Sequence, residues 1–172
     1  MRRVLTIGSP GSGKSTLARE LAKRTGLPLV HLDTEYWQPG WVETAADSWA
    51  ERIGELVQRD SWIIDGNYGG SLRQRLAAAD TVILLDYPTR VCLWRILLRW
   101  RAFRGQSRPD MPENCPERLD MKFLYYVLMF RTGKRPRNEV LLANFSGELL
   151  RFTSPVQLAR WLAAEKFPLN SA

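Results

Sequence analysis

The chain reads as an α/β domain in which a parallel sheet is covered by helices on both faces. Three observations lead there. Short apolar runs at residues 4–7, 27–32, 62–65, 81–85 and 148–153 alternate with segments of helical periodicity. Aspartates stand at the carboxyl ends of three of these runs, Asp33, Asp65 and Asp86, which is the edge where such sheets meet ligands. Between the first run and the first helix lie Gly8, Ser9, Pro10, Gly11, Ser12, Gly13, Lys14, Ser15 and Thr16, with the G-x-x-x-x-G-K-[ST] spacing of a phosphate-binding P-loop.

Each part of that loop has a physical task. The glycines let successive backbone N–H groups turn inward around a polyphosphate, and Lys14 adds a point charge at the β and γ phosphates. Ser15 offers its hydroxyl to a magnesium ion. Residues 14–23 place Leu17, Ala18 and Leu21 on one face, so a helix starts at the loop and aims its positive end at the phosphates. The expected ligands are ATP and Mg2+.

At 172 residues the chain is expected to form one domain, large enough for a real core, with a mobile insert. Cys92 and Cys115 are too few for a disulfide framework, and with His31 as the only histidine no zinc-type ligand set is spelled out. No apolar run is long enough to cross a bilayer, and Met1-Arg2-Arg3 leads straight into the first strand without a signal peptide, so no membrane partner and a cytoplasmic location are expected. The net charge of +7 and pI of about 9.8 favour anionic ligands. That charge is concentrated late in the chain. Arg90, Arg95, Arg99, Arg101, Arg104 and Arg108 fall in a stretch without acids, and Arg131, Lys134, Arg135 and Arg137 form a second cluster.

After the first helix, Gly26 ends the periodicity and residues 27–32 form the second strand, with Pro28 near its start where it disturbs least. An aromatic loop, T-E-Y-W-Q-P-G-W, follows Asp33, and a capping box beginning at Thr44 opens a helix to about residue 59. Residues 34–60 are thus a candidate acceptor-binding segment. The third strand, 62–65, runs into Gly66-Asn67-Tyr68-Gly69-Gly70 and a short helix at 71–79, and the fourth ends at Asp86-Tyr87-Pro88. A long amphipathic helix over 89–103 leads to a Gly/Pro/Ser-containing loop, 104–117, and a second arm from about 117 to 131. The loop has the character of a lid. Ser154 and Pro155 form an N-cap and first-turn pair for the closing helix, 156–164.

This pattern resembles the nucleoside monophosphate kinases, of which adenylate kinase is the best-known member. Residues 8–16 are similar to that group's first loop and Asp65-Gly66 to its aspartate-glycine pair. Arg95 and Arg99 resemble the arginines before its lid, and Arg118 with Asp120, and Arg131, those after it. More narrowly, H-L-D, W-I-I-D-G-N-Y, L-L-D-Y-P and R-P-D-M, in this order, resemble FlaR-related proteins called "DNA topology modulation protein". The resemblance implies a three-layer P-loop NTPase fold, a five-stranded sheet in order 2-3-1-4-5 with a helical lid, and a kinase activity. It assigns Asp65, with Ser15, to magnesium; Asp86 is the alternative ligand or a structural residue. It also implies Arg95 against the nucleotide base, and Arg99, Arg118 and Arg131 near the transferring group with Lys14.

The sequence departs from adenylate kinase on the acceptor side. No arginine follows Asp65-Gly66 until Arg73, and Asp33-Thr34-Glu35-Tyr36-Trp37 replaces the usual threonine-glycine sequence. An aspartate at this place is similar to that of shikimate, gluconate and uridine kinases. Asp33 is therefore the candidate that orients or deprotonates an acceptor hydroxyl, with Tyr36, Trp37 and Trp41 as a stacking wall and Arg73 or Arg75 as an anion contact. The structural alternative has Asp33 capping the next turn and the tryptophans packing the helix onto the sheet. Arg101, Arg104, Arg135 and Arg137 have a plain reading as solvated charge. The competing function is a nucleic-acid-associated ATPase or polynucleotide-end kinase. Against it, neither the third nor the fourth strand ends in Asp-Glu, and no DNA-binding motif occurs; a GTPase is disfavoured because N-K-x-D is missing.

Overall fold

A computed structural model of the chain describes residues 1–117 and 119–165. Five strands form one parallel sheet: β1 Arg3–Gly8, β2 Leu29–His31, β3 Trp62–Asp65, β4 Thr81–Leu85 and β5 Glu148–Phe152, in the spatial order β2-β3-β1-β4-β5. β1 is central, its Thr6 paired with Asp65 of β3 and its Gly8 with Leu85 of β4. The P-loop therefore leaves the middle of the sheet's carboxyl edge, with Asp65 on the neighbouring strand.

Alternate residues of the inner strands face opposite layers. Val4, Ile63 and Ile83 join Leu17, Ala18 and Leu21 of α1 Lys14–Thr25 on one face. Leu5, Ile7, Ile64 and Val82 meet Ile53 and Leu56 of α3 Ala46–Val57 and Leu72 and Leu76 of α4 Gly69–Ala78 on the other. Burial on both faces is why these strands read as continuous apolar runs. At the opposite edge the Asp80 carboxylate accepts the backbone N–H groups of Arg2 (2.8 Å) and Arg3 (2.9 Å), pinning the start of β1 beside β4.

Several local expectations are corrected. The aromatic loop after β2 is a short helical turn, α2 Leu32–Tyr36, followed by a two-residue antiparallel ladder, Trp37–Gln38 with Val42–Glu43. Thr44 does not cap α3: its hydroxyl and its N–H both donate to the Tyr36 carbonyl and close that ladder, so Ala45 precedes the helix without a side-chain bond. α5 Thr89–Ala102 is followed by the loop, but the second arm begins only at α6 Met121–Met129, because Asp120 caps it by accepting the Lys122 N–H at 2.8 Å. It continues as a π-helical turn, Phe130–Lys134, into α7 Arg135–Leu142, so the second basic cluster is helical throughout. Pro136 in the first turn of α7 has no N–H to return to residue 132, which leaves room for the wider turn. The closing helix, α8 Pro155–Ala164, starts as expected with the Ser154 hydroxyl accepting the Gln157 N–H at 3.3 Å.

Asp86 is a structural corner. Arg135 donates to both of its oxygens (3.0 and 2.7 Å) and Arg151 to one (3.4 Å), while Arg151 also grips Glu139, so α7 and β5 are tied to the end of β4. Arg135 is accordingly not free surface charge. Among the described residues no helix is long and apolar enough to cross a membrane.

Candidate active site

The P-loop has a backbone that side chains would obstruct. Gly11 has φ +78°, and a Cβ there would stand 2.4 Å from the Cys92 carbonyl oxygen of α5; Gly13, at φ +94°, takes the left-handed turn into α1. The loop is braced from three directions. Ser12 N–H donates to the Ser9 carbonyl (3.1 Å), Lys14 Nζ to the same oxygen (3.2 Å), and Arg95 Nη1 to the Ser12 carbonyl (2.7 Å). Asn67 clamps the loop's first residue reciprocally: its Oδ1 accepts Gly8 N–H at 3.1 Å and its Nδ2 donates to the Gly8 carbonyl at 2.7 Å. Burial lowers the Lys14 pKa, opposed by the charges of Asp65 and Asp33.

Asp65 ends β3 beside this loop. It accepts from Thr6 Oγ1 (3.1 Å) and His31 Nδ1 (2.9 Å). Burial alone would raise its pKa, but the His31 bond, the Lys14 charge and a bond from the Ser15 hydroxyl outweigh it and hold the carboxyl below its usual value. Asp65 is thus ionised and fixed next to Ser15.

Asp33 opens α2. Tyr68 Oη donates to its Oδ1 at 2.7 Å, and burial pushes the Asp33 pKa up against that bond. Burial and the Asp33 charge push the Tyr68 phenol up in turn, so it remains a donor. Tyr68 sits at φ +31° in the turn after Asp65, a position uncommon for a bulky residue. The device that holds it there is Arg75, which is 0% exposed. Its guanidinium donates to the carbonyls of Gly66, Asn67 and Tyr68 and its Nε to Ser71 Oγ. Burial pushes its pKa down to about 10, still leaving it charged at neutral pH. The expectation that Arg75 contacts an anion is therefore wrong: its donors are taken by the backbone, and Arg73 is exposed on the outer side of α4.

A cavity of about 890 Å³ joins the two halves, running from Lys14, Ser15 and Thr16 past Asp65 to Asp33, Trp37 and Tyr68. Pro10, Gly11, Ser12, Gly13, Arg95 and Arg99 border it as well. Arg131 does not: with Gly8 and Ser9 it lines a small cleft against Asp86 and Tyr87, and Lys134, further along the π-helical turn, faces the large cavity instead. Arg118 lies outside the described residues. Arg99 is held by Glu117 (2.8 Å), and Arg108 by Glu117 (2.7 Å) and Asp110 (2.8 Å). Burial and the neighbouring Arg108 charge lower the Arg99 pKa.

The loop over 105–116 is bonded to the acceptor segment. Thr34 Oγ1 donates to the Asp110 carbonyl (3.3 Å), Gly40 N–H to the Asn114 carbonyl (3.2 Å), and Cys115 Sγ to the Gln38 carbonyl (3.5 Å). Behind Trp37, Tyr36 packs against Trp49 and Tyr68 with ring centroids 5.1 and 5.0 Å apart. The sequence assigns no site role to Asn67 or Tyr68, and gives Arg108 and Lys134 only as members of the basic clusters. The W-I-I-D-G-N-Y string held the signal for the first two, because its asparagine and tyrosine directly follow a strand-end aspartate.

A family described as AAA domain matches residues 4–108. No curated protein matches the chain. Among solved structures, shikimate kinase from Bacteroides thetaiotaomicron superposes with a TM-score of 0.54 at 14% identity over 94% of either chain. A gluconokinase from Sinorhizobium meliloti 1021 gives 0.54 at 19% identity, over 95% of this chain and 90% of that one. Shikimate kinase from Acinetobacter baumannii, in complex with shikimate, gives 0.54 at 18% identity over 95% and 92%. At such identities the likeness is one of fold.

Proposed function

The chain belongs to the AAA domain family, and on that premise we propose that it is a phosphotransferase of the P-loop kinase type. It would move the γ-phosphoryl group of Mg-ATP to a hydroxyl of a small-molecule acceptor. The observation that carries this reading is that the Asp33 carboxyl, aimed by Tyr68, opens into the same cavity as Lys14 and the P-loop. Two solved neighbours of this fold are named for shikimate and gluconate; what we transfer here is the hydroxyl as the accepting group, not the carboxylate that both compounds also carry.

In this mechanism the P-loop N–H groups and Lys14 hold the polyphosphate, with Arg95 bracing the loop beside the nucleotide. Asp33 takes the proton of the acceptor hydroxyl as its oxygen bonds to phosphorus and the bond to the ADP oxygen breaks; the proton then passes to solvent. Its raised pKa suits it to that exchange. Arg99, which borders the cavity while paired with Glu117, offsets charge on the transferring group. The adenylate kinase likeness gives the same task to Arg118, outside the described residues, and to Arg131, but Arg131 lines the small cleft against Asp86 and the task is not carried over to it. Magnesium fits the donor set, since ionised Asp65 and the Ser15 hydroxyl are hard oxygens and this ion keeps most of its waters. When bound, it would neutralise phosphate charge.

Within this reading the chain stands nearer the small-molecule kinases than adenylate kinase, because Arg75 serves the turn and Asp33 stands where the acceptor would be. Residues 34–60 and the loop over 104–117 then act as acceptor segment and cover, and their mutual bonds suit a small molecule better than a polymer. The test is transfer of label from γ-labelled ATP to members of an acceptor panel. Label on an acceptor supports the reading. Release as inorganic phosphate alone, accelerated by DNA, would replace it with a nucleic-acid-dependent ATPase.

A further inference from the structure

The acceptor half of the cavity has a charge balance that selects its ligand. Arg108 reaches it but is paired with Asp110 at 2.8 Å and Glu117 at 2.7 Å; Arg99 is paired with Glu117, and Arg19 stands 3.9 Å from Asp110. Both carboxylates are buried, Asp110 at 5% exposure and Glu117 at 7%. Arg52 of α3 is held by Glu35 and Glu55, each at 2.7 Å, and Arg75 by backbone carbonyls. On this side an anionic acceptor would meet only cations already engaged by carboxylates or carbonyls and would have to compete with those partners. Lys134, a further cation on the cavity wall, stands on the π-helical turn whose Phe130 also borders the cleft beside Gly8 and Ser9, on the P-loop side. An anionic acceptor would also face Asp33 and Asp110, which both line the cavity.

Aromatic side chains also line the cavity, among them Trp37, Phe123 and Tyr126. Trp37 lines the cavity and is fixed edge-on between Tyr36 (centroids 5.1 Å, 85°) and Trp41 (5.3 Å, 71°). Beside it Asp33 has one oxygen engaged by Tyr68, leaving Oδ2 for a hydroxyl. A rigid aromatic face next to a carboxylate oxygen matches a ring that presents a C–H or π face and a hydroxyl at its edge.

We infer that the acceptor is an electrically neutral, hydroxyl-bearing ring compound, a sugar or a nucleoside, and not an acid or a phosphate ester. This rests on the phosphotransferase reading for its consequence in turnover, but its binding test stands apart from turnover. With Mg2+ and a non-hydrolysable ATP analogue present, calorimetric titrations compare glucose with gluconate and uridine with uridine 5′-monophosphate. The neutral member of at least one pair should bind about tenfold tighter or more than its anionic partner, and which pair shows it separates sugar from nucleoside. Trp37→Ala should weaken that neutral compound by about tenfold with the analogue's affinity unchanged. Asp110→Asn, verified as folded by thermal unfolding, should improve the anionic partner, since Arg108 and Arg19 lose their counter-charge. Equal or tighter binding of the anionic members, or no binding of any neutral member, overturns the inference. Selective neutral binding without label transfer leaves the inference standing and removes the phosphotransferase reading.

Discussion

Replacing Arg75 by alanine should loosen the one turn that serves both halves of the site. That side chain is fully buried and holds the carbonyls of Gly66, Asn67 and Tyr68. Through the same turn Asp65 meets Ser15, Asn67 clamps Gly8, and Tyr68 aims Asp33. Each buried carbonyl left without its charged donor costs about 1 kcal/mol or more, and the emptied volume adds to this, for a total of about 3–5 kcal/mol. At about 2–4 °C per kcal/mol for a domain of this size, the melting temperature should fall by roughly 6 to 20 °C. Thermal and urea unfolding of Arg75→Ala beside Arg75→Lys would measure it, with the lysine variant intermediate because it retains charge but cannot reach all three carbonyls. Turnover measured well below the variant's melting temperature should fall as well. A loss under about 1 kcal/mol for the alanine variant would refute the reasoning.

Two further outcomes follow from the same geometry. Asn67→Ala removes the reciprocal pair on Gly8 and should weaken ATP binding about 5- to 10-fold, with little effect on the acceptor's KM; nucleotide titration and steady-state kinetics check it. Asp33 has a folded-state pKa above its ordinary 3.8, so kcat/KM for the acceptor should climb with pH through a value higher than that, and the limb should vanish in Asp33→Asn. The stability sign is opposite. The folded state holds the proton longer than the unfolded chain, so Asp33 contributes stability fully below 3.8 that is lost as pH rises through the folded value; Asp33→Asn should therefore be at least as stable as the parent at pH 7 in urea unfolding.

The features written in local patterns were legible in the sequence: the loop from Gly8 to Thr16, the buried strands, and the strand-end placement of Asp33 and Asp65. Roles that depend on where the backbone folds back were not. Arg75 reads as a candidate anion contact until its three target carbonyls are seen to converge on it. Thr44 sits at a capping-box position, yet the Tyr36 carbonyl takes both of its donors. Arg131 and Lys134 are indistinguishable as charges in a basic cluster, and only the π-helical turn decides that Lys134 faces the cavity. Asp86 and Asp65 end adjacent patterns alike; Arg135 and Arg151 claim the first and Ser15 and Lys14 the second.

The most direct test of the phosphotransferase reading is single-turnover label transfer by Asp33→Asn with an acceptor identified for the parent. The substitution keeps an acceptor for the Tyr68 hydroxyl and leaves the P-loop intact. Unchanged ATP affinity with transfer slowed by about 100-fold or more is the predicted result, in the range expected for losing a general base. Transfer at the parent's rate would contradict the assignment of Asp33 and, with it, the proposed placement of the acceptor.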